Sequence, residues 1–296
     1  MVPIATDVMA NAGSASTVAL QADNVVVSFG GVVALKGVTL GVNTGEIVGL
    51  AGSNGSGKTT LLNAISGFVA TDAGRMHAFG EEITSWSAAR RASRGVGRSF
   101  QNPIVIPGFG VMQLLQSGLY ASDRRTALRL ALRPLWANKA EREATRACED
   151  ALRLVGLPLS TLNSDLSNLA HGQLKMVDLA RALIAQPRLV LMDEPTSGLN
   201  DHEISVLAKL VKELRRDGWG VLLVEHNVQF LLGVVDRVIV FDGGAVLAEG
   251  QPASTLNKPE VVTAYMGRST VASRHEAPGS HGGDEPNRSE SWRVEL

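Results

Sequence analysis

Among its 296 residues the chain has one cysteine, Cys148. A single thiol excludes an internal disulfide and a cysteine-built metal cage, and it fits a reducing compartment. An excess of charge of either sign is also missing, since 28 basic residues stand against 29 acidic ones for a formal net charge of -1. No global basic field is available to hold nucleic acid, and no acidic field to collect cations. No Lys or Arg precedes Lys36, so the positive start of a secretory signal is not expected. Apolar runs are short, the longest being broken by Arg133, Asp236 and Arg237, and none approaches the roughly 20 residues of a membrane-spanning helix. The expectation is a cytosolic protein, unless a partner carries it to a membrane. Aromatics are scarce at 4%, but 45% hydrophobic and 19% charged residues describe a globular chain, and 31 glycines argue against a coiled coil.

Organisation follows from composition and periodicity. Residues 1–18 are small and polar and read as a disordered leader; residues 268–296 are rich in Ser, Gly, Pro, Arg and Glu and read as a disordered tail, with too little apolar area to offset ordering entropy. Between them, residues 19–267 form the folded body. Alternating Val and Leu around Gly30–Gly31 predict two strands, and Ile47 to Ala51 a short buried one. Leu61, Leu62, Ile65 and Phe68 then repeat at helical spacing up to Gly67. Periodic segments around Met112–Tyr120, Thr126–Trp136 and Ala140–Val155 predict a helical insertion over about 107–170. Beyond it helix and strand alternate, which implies an α/β fold with a mainly parallel sheet.

Gly52-Ser53-Asn54-Gly55-Ser56-Gly57-Lys58-Thr59 fits G-x-x-x-x-G-K-[ST] and sits between a buried strand and a helix, the context that pattern requires. Glycines let the backbone wrap so that successive N–H groups face phosphate oxygens, and the helix N-terminus adds positive partial charge. Ser53, Asn54, Gly55, Ser56, Gly57, Lys58, Thr59 and Thr60 are therefore the candidate nucleotide-binding residues. Lys58 would lie between the β- and γ-phosphates, and the Thr59 hydroxyl would reach Mg²⁺. A glycine-rich turn without a ligand is the alternative.

Leu189 to Met192 form an apolar strand that delivers Asp193 and Glu194 side by side. Open α/β sheets bind ligands at this C-terminal edge. Adjacent strand residues point opposite ways, so the two acids take different tasks. Asp193 suits the metal, and Glu194 suits polarising a water for attack on the γ-phosphate.

Several further motifs agree in order, and with them the chain resembles an ABC-type ATPase subunit from about Leu20 to Met266. Leu169, Ala170, His171, Gly172 and Gln173 stand where the L-S-G-G-Q signature falls. Ser197, Gly198, Leu199 and Asn200 resemble the D-loop. Gln101 matches the Q-loop glutamine, His226 the switch histidine, and Phe29 the aromatic that stacks on adenine. The resemblance implies a P-loop NTPase core with an antiparallel β subdomain and an inserted α-helical subdomain, binding ATP and Mg²⁺. It implies that Glu194, His226 and Gln101 are catalytic, and that Thr59, Gln101 and Asp193 hold the metal. It also implies a second ATPase subunit, whose signature loop completes each site in trans. Ala170, His171 and Asn200 depart from the usual Ser, Gly and Asp.

Those departures, with Gly95 to Gln101 and Ala264-Tyr265-Met266-Gly267, resemble the ATP-binding subunits of branched-chain amino-acid importers. The resemblance then implies integral-membrane permease partners, a solute-binding protein acting indirectly, and residence at the cytoplasmic face of the membrane, without nucleic acid. The lipopolysaccharide-export ATPase, a soluble non-transport ABC ATPase and a non-hydrolysing regulator are the alternatives. Among the remaining candidates, His77, His202, His275 and His281 lack metal-ligand spacing, Cys148 reads as a packing residue, and Arg124, Arg125, Arg129 and Arg133 read as a solvated helix face or a lipid contact.

Overall fold

The structure is a computed structural model that describes residues 18–103, 105–121 and 137–264. The leader, the segment Thr126–Trp136 expected to be helical, Arg124, Arg125, Arg129 and Arg133, His275, His281, the Tyr265-Met266-Gly267 motif and the tail lie outside the described residues.

Two sheets organise the rest. β1 (Val18–Phe29) and β2 (Val32–Asn43) form an antiparallel hairpin through Gly30 and Gly31. Both turn glycines have positive φ, 52° and 88°, which a two-residue hairpin loop requires. With β4 (Ala73–Ala78) and β5 (Glu81–Glu82) they build a four-stranded sheet in the order β2-β1-β4-β5. The second sheet has six strands, ordered β10-β9-β3-β8-β7-β6. Here β3 (Ile47–Gly52), β6 (Val96–Arg98), β7 (Leu189–Asp193), β8 (Gly220–Val224) and β9 (Arg237–Asp242) run parallel, and β10 (Ala245–Gly250) turns back antiparallel.

The central strands read as continuous apolar runs because both faces are covered. Residues alternate between two cores with the strand period of two. Ile47, Val190, Met192, Val221, Leu223, Val238 and Val240 face one core, with residues of α3 (Val111–Ala121), α4 (Ala137–Leu154), α5 (His171–Leu183), α6 (Asp201–Arg216) and α7 (Val228–Val234). Val48, Leu50, Leu189, Leu191, Leu222, Val224, Ile239 and Phe241 face the other, with α1 (Lys58–Ser66) and the antiparallel sheet. Gly49 must be small: a Cβ there would lie 2.8 Å from a methyl of Leu231. Cys148 is fully buried in the helical core, in keeping with a packing role. Two further helices are short, α2 (Ala88–Ser93) and α8 (Pro252–Leu256).

At the N-terminal edge of the parallel strands, Arg237 on β9 closes the sheet. Its Nε donates to Glu46 Oε1 at 2.7 Å, and its other nitrogens reach Glu249 on β10 and the Gly41 carbonyl on β2. The opposite edge is where the polar motifs gather.

Candidate functional site

Strand order decides which motifs meet. Four neighbouring parallel strands, β3, β8, β7 and β6, end at the same edge. β3 runs into the glycine-rich loop, β8 into Glu225-His226, β7 into Asp193-Glu194, and β6 into Ser99-Phe100-Gln101. Segments far apart in sequence are thus brought within hydrogen-bond reach.

Gly57 is the N-cap of α1, with φ 105° and no side-chain cap. The first turn of α1 therefore has no side-chain acceptor from its cap, which leaves a positive helix end suited to an anion. A Cβ at Gly55 would meet nothing within 4 Å, so the loop is open on that side. The Lys58 ammonium is buried and donates to the Gly52 carbonyl at 2.7 Å and the Ser53 carbonyl at 2.8 Å. Burial pushes its pKa down, against the attraction of Glu194 and Asp193. Gly244 braces the loop, accepting from Lys36 N–H at 2.8 Å and donating to the Ser56 carbonyl at 3.1 Å. Phe29 stands at the β1 end, 51% exposed, so a face of its ring is accessible.

Asp193 and Thr59 come together across the edge, Thr59 Oγ1 donating to Asp193 Oδ1 at 3.5 Å. A hydroxyl and a carboxylate are the hard oxygen donors that Mg²⁺ takes. Burial raises the Asp193 pKa, partly offset by Arg98, so a cation beside this carboxyl would be favoured on electrostatic grounds. These residues fit a divalent ion.

Arg98 is itself buried and lies 3.6 Å from Asp193 Oδ2, with Nη1 donating to Ser66 Oγ at 2.5 Å. Its guanidinium carbon also lies 5.2 Å from the Phe100 ring centroid and 5.6 Å from that of Phe68. Its Nε has no acceptor among the described residues.

Glu194 is the meeting point. Gln101 Nε2 donates to its Oε2 at 2.7 Å, and His226 Nε2 lies 3.2 Å from its Oε1. The three residues expected to be catalytic therefore form one cluster, while Thr59 and Asp193 form another beside it. Glu194 has φ 47°, a left-handed backbone that costs a non-glycine residue about 1–3 kcal/mol. Three contacts hold it there: its N–H donates to the Val224 carbonyl at 2.9 Å, and its carbonyl accepts from Ser197 N–H at 3.2 Å and from Lys175 Nζ at 2.8 Å.

The signature segment opens α5. Ala170 is its N-cap and supplies no side-chain oxygen, although Gln173 Oε1 accepts from the Ala170 N–H at 3.1 Å, half of a capping box. Asn200 makes the complete box at the start of α6, accepting from Glu203 N–H at 3.0 Å while Glu203 Oε2 accepts from Asn200 N–H at 2.9 Å. Signature and D-loop lie against each other. A Cβ on Gly172 would come within 2.6 Å of the Glu203 carboxylate, and one on Gly198 within 2.6 Å of the His171 ring.

Four charged residues at this edge carry no assignment from sequence: Arg98, Lys175, Asp178 and Glu225. Asp178 Oδ2 accepts from Phe100 N–H at 2.8 Å, fixing the backbone just before Gln101. Glu225, 2% exposed, accepts from Thr196 N–H at 2.7 Å, His226 N–H at 3.1 Å and Asn227 N–H at 3.3 Å. A usable signal exists. Lys175 and Asp178 interrupt the apolar stretch after Gln173, and Glu225 directly follows four apolar strand residues.

The family model described as ABC transporter matches residues 35–197. The chain is 33% identical over 253 residues to the high-affinity branched-chain amino acid transport ATP-binding protein BraF of Pseudomonas aeruginosa, covering 84% of this chain and 97% of that one. Among solved structures, the ADP conformation of an ATP-binding cassette of an ABC transporter aligns with TM-score 0.73 at 31% identity, covering 85% of this chain and 100% of that one. A dimeric post-hydrolysis state of another ATP-binding cassette, bound to ADP and Pi, aligns with TM-score 0.69 at 25% identity, covering 79% of this chain and 98% of that one. Among the described residues, no helix is long and apolar enough to cross a membrane.

Proposed function

The chain belongs to the ABC transporter ATP-binding family, and from that premise we propose that it hydrolyses ATP to power an importer of branched-chain amino acids or a related small solute. The observation that carries the reading is the convergence on Glu194 of Gln101 and His226, beside the Lys58 loop and Asp193, at the ends of four adjacent strands.

The chemistry follows from that placement. The N–H groups of the glycine-rich loop and of the α1 N-terminus receive the phosphates, and Lys58 adds its charge at their inner end. Phe29 offers its exposed ring to the adenine. Thr59 and Asp193 would hold Mg²⁺, with Gln101 as a further ligand, and the bound ion would neutralise phosphate charge. Glu194 orients the attacking water through one carboxylate oxygen and accepts its proton there. Gln101 and His226 fix the direction of that carboxylate, and a fixed base contributes more than a rotating one.

One chain supplies half of each site. A second ATPase subunit brings its own Leu169–Gln173 equivalent against the γ-phosphate, while this chain's signature and D-loop serve the partner. Motion at Gln101 reaches the permease through the surface beside it, where Val105, Ile106 and Phe68 are exposed. The folded cassette spans 19–267, with the helical subdomain at about 107–170, and it sits peripherally at the cytoplasmic face of the membrane. A solute-binding protein on the far side selects the cargo.

The test is the Glu194→Gln variant, with ATP binding and turnover measured separately. Binding is expected to persist while turnover falls on the order of 10²- to 10⁴-fold, trapping a dimer. Turnover at the native rate would remove Glu194 from its assigned role. Copurification of a polytopic membrane protein, followed by ATP-driven leucine uptake in vesicles, tests the transport assignment.

A further inference from the structure

Lys175 lies on α5, three residues after Gly172, and is only 6% exposed. Buried lysines need anionic or carbonyl partners, because desolvation penalises the ammonium. Here the ammonium donates to the main-chain carbonyl of Glu194 at 2.8 Å, and it feels the charges of Glu225, Glu194 and Asp193. Its partner is therefore the backbone of the one acid among the described residues whose φ is left-handed. Glu225, which contributes to the field around Lys175, also accepts the N–H groups of Thr196 and His226, residues on either side of the cluster.

We propose that Lys175 is a positioning residue that holds Glu194 in its left-handed backbone conformation and so aims the carboxylate at the water site. The inference rests on the reading of Glu194 as the base, and it adds a cause for that residue's geometry. A left-handed glutamate relaxes toward ordinary φ unless its carbonyl is held, and the Ser197 N–H is the weaker of the two donors at 3.2 Å. Rotating the backbone at Glu194 swings the carboxylate away from Gln101 and His226. A misplacement of about 1 Å in a reacting group costs on the order of 10²-fold in rate.

The experiment is a double-mutant cycle on the full chain, with Lys175→Met and Glu194→Gln alone and combined, read as kcat, KM and binding of a fluorescent ATP analogue. Lys175→Met is expected to lower kcat by about 10- to 10²-fold with KM and analogue affinity within about threefold of native. In the Glu194→Gln background it is expected to add no further loss, since the group it positions is already gone. Lys175→Arg, which keeps a charged donor, is expected to recover most of the rate. Losses that multiply in the double variant, or a weakened nucleotide affinity, would overturn the proposal in favour of a merely structural lysine. Should Lys175→Met fail to fold, Lys175→Gln takes its place in the same cycle. A kcat loss that disappears in the Glu194→Gln background supports the proposal, whereas a native kcat or a loss that persists there overturns it. The two readings fail differently: an active Glu194→Gln sinks the base assignment, whereas an inactive Glu194→Gln with a fully active Lys175→Met sinks only the positioning role.

Discussion

The side-chain amide of Gln101 donates to the carboxylate of Glu194 across 93 residues of sequence, at 2.7 Å. β6 and β7 are neighbours in the sheet, so the residues that follow them share one edge. The contact joins the segment after β6 to the acid proposed to polarise water.

Gln101→Ala removes that contact and leaves His226 to hold the carboxylate alone. Turnover is expected to fall about 10- to 10²-fold, while ATP affinity measured without metal stays native. Steady-state phosphate release alongside equilibrium binding checks this, and a native kcat would show the contact to be incidental.

Ala170→Ser restores the hydroxyl missing from the signature segment. Its oxygen can accept from the Gln173 N–H and complete the capping box that Gln173 Oε1 has half made. Stability is expected to rise by about 0.5–2 kcal/mol. Turnover should remain level or rise modestly, as one more donor meets developing phosphate charge. Denaturant unfolding and phosphate release read both, and a large loss of activity would show that position 170 does not face the nucleotide.

Arg237 tests the opposite edge of the sheet. It ties β9 to Glu46, Glu249 and Gly41, far from the motifs. Arg237→Met is expected to cost about 2–3 kcal/mol, less than breaking a fully buried pair because both partners keep some exposure. The rate at permissive temperature should be unchanged. Burial alone would raise the Glu46 pKa, but hydrogen bonds from Arg237 and Asn43 outweigh it and hold the group below 4.5. The stability this provides is present above the unfolded value and is lost as pH falls through the lower folded one. Tm against pH should therefore lose part of its acid limb in the variant.

Cys148 has its thiol pushed up from 9.0 to about 11 by burial. The unfolded chain ionises first, so the group's contribution is intact below pH 9 and fades as pH rises toward 11. Labelling by a thiol reagent at a pH of about 8 should be slow in the native protein and fast after urea unfolding. Rapid native labelling would contradict the packing described for α4.

The phosphate loop, the paired acids and the alternating strands are legible in the sequence because each is a local pattern. Gly52 to Thr59 needs only its neighbours to be read, and β3, β7, β8 and β9 announce themselves as apolar runs. β4, β5, β6 and α2 leave no comparable trace. β6 is three residues long, and β4 carries Gly74, Arg75 and His77, so neither shows a period. Residues that act through distant partners are harder still. Gln101 is placed by resemblance alone, and His226 also by its position just after a strand at that edge. Lys175 and Glu225 show only as charges within or directly after apolar runs, and their tasks become readable once their partners are beside them, as with Arg98. The left-handed φ of Glu194 has no sequence signal at all, since glutamate does not ordinarily adopt it.

Every step proposed for this chain begins with triphosphate capture by the loop around Lys58. Isothermal titration of the purified chain with magnesium ATP tests it most directly. Saturable heat near one nucleotide per chain is predicted, accompanied by a rise in Tm and abolished by Lys58→Ala. No heat and no thermal shift from the folded native chain would contradict it.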